Sequence, residues 1–582
     1  VTPTHKHTFL FIGVFGFTLL SFAGLIRNFF YSGLGWSFPV SHIIDQFLPL
    51  VIALIIAIYW WVKNKYPLAF VNKIPPHLPS IILLGALTVW VMYPLLSHYF
   101  FKEDVVNLVT LAQAGGGARS DEIVRFFTWA DGYPFSVFFA LFSFFGIAAK
   151  SYMVFTLTAH WLSAVLLYLL AHALLRARII SFIAAALFLV TPLYLEVFNW
   201  FLTATGFPVV MIIFLLSLLV FLQSKKYPHS NILRILSWLA TLATLKLGFV
   251  RTAIYPFILL LVDQVGEGRL TRERLRDSGK RLWPHFAIFA AALIFVAVRY
   301  AQIYANETGF SFARRLSRSL ELMLAQSVPL SWGKAIFSAL PEALSIEKTV
   351  LLAGALVLAI AVATLVFMKW GARALRPVVL LGFAWFFGEA IFTSLLGDNA
   401  GRGALDFTFL HWPYEPGSKY LHLAAGGLSL GVVAWSYGLF PKVSSRMRAI
   451  VILGAFLPLI ILFSLETRRA HTAFVQEISI PARVFFTEKL PNFLPQTNER
   501  LMLYSASTSP IDGLMKGGFD LPAYGLPAAD YTHTFADVEK EYQAGTYRLD
   551  QILSFEFDRT TLEFKDTSES TRRALEMVRQ SL

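Results

Sequence analysis

The side chains best suited to moving a proton lie close together in residues 99–135, YFFKEDVVNLVTLAQAGGGARSDEIVRFFTWADGYPF. Glu103 and Asp104 form one acidic pair, Asp121 and Glu122 a second, and Asp131 stands just before Gly132-Tyr133-Pro134. The stretch sits between two apolar runs. A carboxylate so near hydrocarbon is costly unless it is solvated, paired or used. An ionised carboxylate within hydrogen-bond reach of a hydroxyl or amine can take its proton as that group attacks, so this loop is the first candidate for a general base. Each acid also has a plainer role. Glu103 and Asp104 can pair with Lys102 or Arg119 as solvated loop acids. Asp121-Glu122 fits a helix N-terminus capped by Ser120, where acids favour the dipole. Asp131 is a turn former first and a site residue second.

The elements that must position this loop are membrane helices. The chain has 582 residues, 56% of them hydrophobic and 15% charged. Its mean hydropathy is +0.61. A soluble chain carries about 25% charged residues, so the composition predicts a polytopic, all-α membrane protein. The net charge of +13 resides mostly in short loops between apolar runs, which is a topology signal rather than a nucleic-acid footprint. With no Cys, disulfides, thiolate chemistry and Cys-ligated zinc are excluded.

A span needs about 20 mainly apolar residues. The candidates are 8–25, 42–62, 80–98, 152–175, 179–196, 204–223, 233–250, 252–265, 284–300, 349–369, 377–396, 421–439 and 447–465. The first has no clear cleavage site after it and reads as a retained span. Alternate loops hold Lys63, Lys65 and Lys73; Arg176 and Arg178; Lys225, Lys226 and Arg234; Arg269 to Arg281; Lys369, Arg373 and Arg376; and Lys442, Arg446 and Arg448. The positive-inside rule places these in the cytoplasm. If 133–149 crossed fully, the later basic loops would face out, so it is expected to lie at the outer face or to enter only partway. That leaves roughly thirteen spans, a cytoplasmic N-terminus and an outer C-terminus, in the cell membrane. Segment 301–348 is partly amphipathic and is expected to fold over the surface. In the less hydrophobic tail, 500–507 and 552–558 read as strands and 570–582 as a helix. The expected organisation is a two-span extension (1–79), a transmembrane module (80–466) with outer loop 99–151, and a small extracytoplasmic α/β domain (467–582).

The order of these pieces resembles the GT-C-type glycosyltransferases. The acidic pair Glu103-Asp104 is followed by DGYPFSVFFALFSFFG (131–146), then a long span with a basic turn (151–178), then ISFIAAALFLVTPLYLEVFNW (180–200). This layout is similar to bacterial aminoarabinose transferases and protein O-mannosyltransferases. PGSKYLHLAAGGLSL (416–430) is similar to the start of a late span in those enzymes. The pair reads Glu-Asp where that family often has Asp-Glu, and Tyr133-Pro134 stands where many members have Pro-Pro.

The resemblance implies transfer of a sugar from a polyprenyl-phosphate donor to a protein, lipid or glycan acceptor at the outer membrane face, in the cell envelope. Asp104 is then the first choice as base and Glu103 the second. The leaving phosphate needs cations. Lys246, Arg251 and Arg299 end outward-facing spans, and Lys419-Tyr420 resembles the family's late site residues. The cations could instead snorkel to headgroups. Asp131 and Tyr133 in this loop are candidates for the acceptor side, and Glu196 and Asn199 lie in the second outer loop, where related enzymes have an acid that helps bind acceptor or metal. Glu389 is an intramembrane acid, functional or protonated and hydrogen-bonded. His98, His411 and His471 lack a helical metal-ligand spacing. Carboxylates could still hold a divalent cation, Mg or Mn, as some relatives do. Gly115-Gly116-Gly117 reads as a hinge, not a phosphate loop. Asn306-Glu307-Thr308 matches a glycosylation sequon. Two other readings compete with the transferase. A transporter or flippase of a lipid-linked sugar would favour ionisable pairs near mid-bilayer. A non-catalytic scaffold would use the tail as its binding module.

Overall fold

The computed structural model describes residues 77–100, 148–252, 254–265, 272–304, 361–396, 422–439, 443–485, 500–507, 529–558 and 560–581, with a few single positions between. This part is mostly helical, with one small mixed sheet. The runs 8–25 and 42–62 and most of 99–151 and 301–348 lie outside the described residues.

In chain order the helices are α1 (Leu78–Met92), α2 (Ala149–Leu175), α3 (Arg178–Val190), α4 (Phe201–Lys226), α5 (Asn231–Thr252), α6 (Tyr255–Gln264) and α7 (Arg272–Tyr304). Then come α8 (Ala361–Trp370), α9 (Arg376–Leu396), α10 (His422–Gly438) and α11 (Ser445–Phe474). The last runs through a π-helical turn (Val475–Ser479) into α12 (Ile480–Val484). Among the described residues four stretches are long and apolar enough to cross a membrane: Leu78–Ser97, Ala149–Leu175, Phe201–Lys226 and Ser445–Val484. A fifth combines α3 with a 3-10 turn, Pro192–Asn199, across a 43° bend. This is a membrane protein.

The burial pattern agrees with that solvent. On α11, Ile452, Phe456, Ile460, Phe463, Thr467 and His471 face inward, while Ile450, Val451, Leu457, Ile461 and Leu465 are exposed. The exposed face is thus aliphatic, while the polar Thr467 and His471 are turned inward. Lipid tails supply no hydrophobic drive between helices, so close packing must hold them. Helices α9 and α10 show how. A Cβ at Gly382 would lie 2.3 Å from the Gly431 Cα, and one at Gly427 would lie 2.8 Å from the Gly382 carbonyl oxygen. Backbone touches backbone there, with Trp385 filling the space beside Gly426 and Gly427.

The basic helix ends gather at one end of the bundle. The buried carboxylate of Asp263, on α6, meets Arg281 of α7 at 2.6 Å and Lys225 of α4 at 3.5 Å. Ser278 donates a further hydrogen bond to it. Arg376 bonds the Lys369 carbonyl, and Arg448 lies over the Tyr437 ring. The starts of α4 and α10 both lie against the 3-10 turn Pro192–Asn199, through Thr203 on the Val197 carbonyl and His422 on Tyr194, and Met211 further along α4 meets Gly426 of α10, so these helices run in parallel and the two groups share an end.

Two expectations about helix limits need correcting. Helix α7 begins at Arg272, so residues read as a basic loop are already helical. Helix α11 does not stop near 465 but continues through Glu466, Arg468 and Arg469. Arg468 can stay helical there because its guanidinium lies 4.2 Å from the Trp90 ring and bonds the Trp90 carbonyl.

The tail forms a four-stranded sheet in the order β2-β1-β3-β4, with β1 (Leu501–Ser505), β2 (Ala529–Thr532), β3 (Ile552–Asp558) and β4 (Glu563–Asp566). Strand β1 pairs in parallel with β2 and β3, and β4 pairs antiparallel with β3. Alternation divides the side chains between two faces. Met502 and Ile552 meet Val538 of α13 (Phe535–Gln543) and Leu575 of α14 (Ser568–Ser581). Leu503, Leu553, Phe555 and Phe557 face the other way, where Phe485, just past α12, packs 4.7 Å from Phe555 and 4.6 Å from Phe564. Strands β1 and β3 match the strands read from sequence; β2, β4 and α13 were not foreseen.

Candidate functional site

Opposite the basic end, the bundle gathers the end of α1, the starts of α2, α4 and α10, and the C-terminal part of α11. The acidic loop is rooted here. His98 is buried and both ring nitrogens are used. Nε2–H donates to the Asn199 carbonyl at 2.9 Å, which leaves Nδ1 to accept from the Ser479 hydroxyl at 2.9 Å. The Tyr99 amide donates to the same Ser479 oxygen at 2.6 Å. The His98 ring stacks 4.7 Å from Phe201 and meets Phe474 edge-on at 5.1 Å. Phe100 lies against Tyr152 and Phe201. Burial raises the Tyr99 phenol above its ordinary pKa, against the opposing pull of the Arg483 charge.

The broken end of α3 explains several buried polar groups. The Phe188 carbonyl would normally accept from the amide four residues on, but residue 192 is proline. The Tyr194 hydroxyl donates to it instead. The Thr467 hydroxyl donates to the Val190 carbonyl at 2.8 Å. The side chains of Tyr194 and of Thr467 on α11 therefore complete the helix end that Pro192 leaves open. His160 Nε2 is also 3.4 Å from the Tyr194 oxygen, and its Nδ1 is 3.4 Å from His422 Nε2. The Tyr194 proton is committed to Phe188, so Nε2 of His160 must donate and Nδ1 must accept. His422 then donates from Nε2.

Two polar groups here are buried without a hydrogen-bond partner among the described residues. Both ring nitrogens of His471 are unmatched, and so is Oδ1 of Asn199. His471 packs 5.8 Å from the Phe198 ring, one residue from Asn199. A buried unsatisfied polar group costs about 1–3 kcal/mol, so such atoms mark a place for water or a polar ligand. Histidines 98, 160, 422 and 471 converge from four elements, yet no set of three or more His, Asp or Glu among the described residues could hold a metal ion.

Of the residues singled out from sequence, the structure gives a side-chain setting to Asn199 and Glu389, both buried, besides the histidines. The main chain at Lys246, Arg251 and Arg299 is helical, and Glu196 lies in the 3-10 turn. Glu103, Asp104, Asp131, Tyr133, Lys419, Tyr420 and His411 lie outside the described residues. Sequence reading passed over His160, His422, Tyr194 and Arg483. The signal for His160 was an ionisable side chain in the middle of a long apolar helix, and for His422 one at the first residue of another.

No protein-family model matches the chain, and no curated protein matches it.

Proposed function

We propose that the protein is a GT-C-type glycosyltransferase of about thirteen spans that moves a sugar from a polyprenyl-phosphate donor to an acceptor at the outer membrane face. The observation that carries this reading is the buried, unmatched polar group of His471 and Asn199 beside the root of the loop that continues into Glu103 and Asp104. A lipid-linked donor needs a site where its tail stays in hydrocarbon and its sugar meets hydrogen-bonding groups. Unmatched nitrogens and an amide oxygen against an aromatic ring suit hydroxyl groups. Asp104, or Glu103, removes the acceptor proton. Lys246, Arg251, Arg299 and Lys419, with Arg483 as an addition, are the candidates to stabilise the leaving phosphate. Tyr420 would line the same side, and Asp131, Tyr133 and Glu196 the acceptor side. The gathering of Lys225, Arg281, Arg376 and Arg448 at the opposite end supports a cytoplasmic assignment of that end by the positive-inside rule.

The test is transfer by purified protein from a radiolabelled polyprenyl-phosphate sugar to a mixed acceptor extract. Activity abolished in Asp104→Asn and retained in Asp121→Asn supports the reading. Transbilayer movement of the labelled lipid without transfer would establish the transporter instead. Neither activity, with a co-purifying protein held by the C-terminal domain, would establish the scaffold.

A further inference from the structure

One 40-residue helical rod, Ser445–Val484, both touches the root of the acidic loop and carries the C-terminal sheet. Its pitch changes only at the π-helical turn, Val475–Ser479. A π turn holds an extra residue, which rotates the next helical segment around the axis; such turns recur at functional positions. Here it ends on Ser479, whose hydroxyl serves His98 and the Tyr99 amide together. Six residues further, roughly 9 Å along the axis, Phe485 enters the face of the sheet between Phe555 and Phe564. Past His98, the chain is held by Phe100 against Tyr152 and Phe201. The loop root and the domain thus hang on the same short piece of helix.

We propose that Ser479 and His98 form a latch through which the docked C-terminal domain positions the root of the acidic loop. Ser479 is a positioning residue, since it acts through His98 and Tyr99 and not on a substrate. The importance of that position for chemistry rests on the transferase reading; the mechanical link does not. The hydroxyl accepts from one partner and donates to the other, so no apolar side chain can replace it, whereas threonine can.

The experiment compares full-length protein in lipid nanodiscs, wild type against Ser479→Ala, Ser479→Thr, Phe485→Leu and Phe456→Leu. Hydrogen exchange is read in peptides spanning residues 93–100, alongside kcat and KM for transfer. Ser479→Ala is expected to speed exchange at Tyr99 at least tenfold, and Ser479→Thr to restore it. Phe485→Leu, which loosens the sheet, is expected to speed the same amide several-fold. Phe456→Leu, on the same rod before the π turn, should leave it unchanged. If transfer occurs, kcat should fall with the exchange change while KM holds. Unchanged exchange in Ser479→Ala overturns the latch, and unchanged exchange in Phe485→Leu overturns its link to the domain. Correct exchange behaviour in a protein without transfer leaves the latch standing and removes the transferase reading.

Discussion

Gly382→Ala tests whether glycine contact is what joins α9 to α10. A methyl added at Gly382 would lie 2.3 Å from Gly431 Cα, 2.4 Å from Gly431 N and 2.8 Å from Gly427 O. Carbon atoms sit comfortably at about 3.5–4.0 Å, so the helices must part by more than 1 Å, roughly the shortfall in that contact. All the opposing atoms are backbone, so no rotamer change relieves the clash. Overpacking of this kind costs typically about 1–3 kcal/mol, and the parting also loosens Trp385, packed on Gly426 and Gly427. The expected loss is about 2–4 kcal/mol. The internal control is Gly454→Ala on α11, where an added Cβ meets nothing within 4 Å. That change is expected to be neutral or to stabilise by up to about 1 kcal/mol through helix propensity. Intrinsic tryptophan fluorescence during thermal unfolding in one detergent reads both, since the chain has 14 Trp. Equal midpoints for the two variants would refute the packing argument.

Four further outcomes are expected from the same structure. Tyr194→Phe leaves the Phe188 carbonyl without the donor that replaces Pro192, and should cost about 1–2 kcal/mol in the same unfolding assay. Asp263→Asn leaves Arg281 and Lys225 facing no carboxylate; because Arg281 is half exposed, the expected loss is about 1–3 kcal/mol, larger in low salt than in high. Phe485→Ala should release the C-terminal sheet to protease faster while far-ultraviolet circular dichroism stays unchanged. Asp558 is held at about 2 by Lys565 and by the Thr560 and Thr561 amides. A depressed carboxylate contributes stability above about pH 4 that fades as pH falls toward 2. In Lys565→Met, carboxyl-carbon NMR should show Asp558 titrating closer to the ordinary carboxylate value.

The sequence made the helices visible where apolar runs ended in basic turns, as at Arg176 and Arg178. It also showed β1 and β3, whose side chains alternate between two apolar surfaces. It hid the extension of α11, because Glu466, Arg468 and Arg469 end the apolar run although Arg468 is accommodated by Trp90. It hid β4, whose EFKD carries one inward side chain, Phe564, on an edge strand. Above all, the polar end of the bundle could not be read along the chain. His98, His160, His422 and His471 come from four elements that only the helix packing brings together, and Tyr194 matters because of a missing amide at Pro192. The role of Glu103 and Asp104 is still carried by residue type and resemblance.

The length of the final rod has a consequence for where the sheet stands. Forty residues of helix measure about 60 Å, twice the roughly 30 Å of hydrocarbon, so much of it stands in the headgroups and beyond. A sheet pinned to it by Phe485 hangs near the loop root like an awning. The sheet therefore stands at the same end of the bundle as the loop root, six residues along the helix from Ser479.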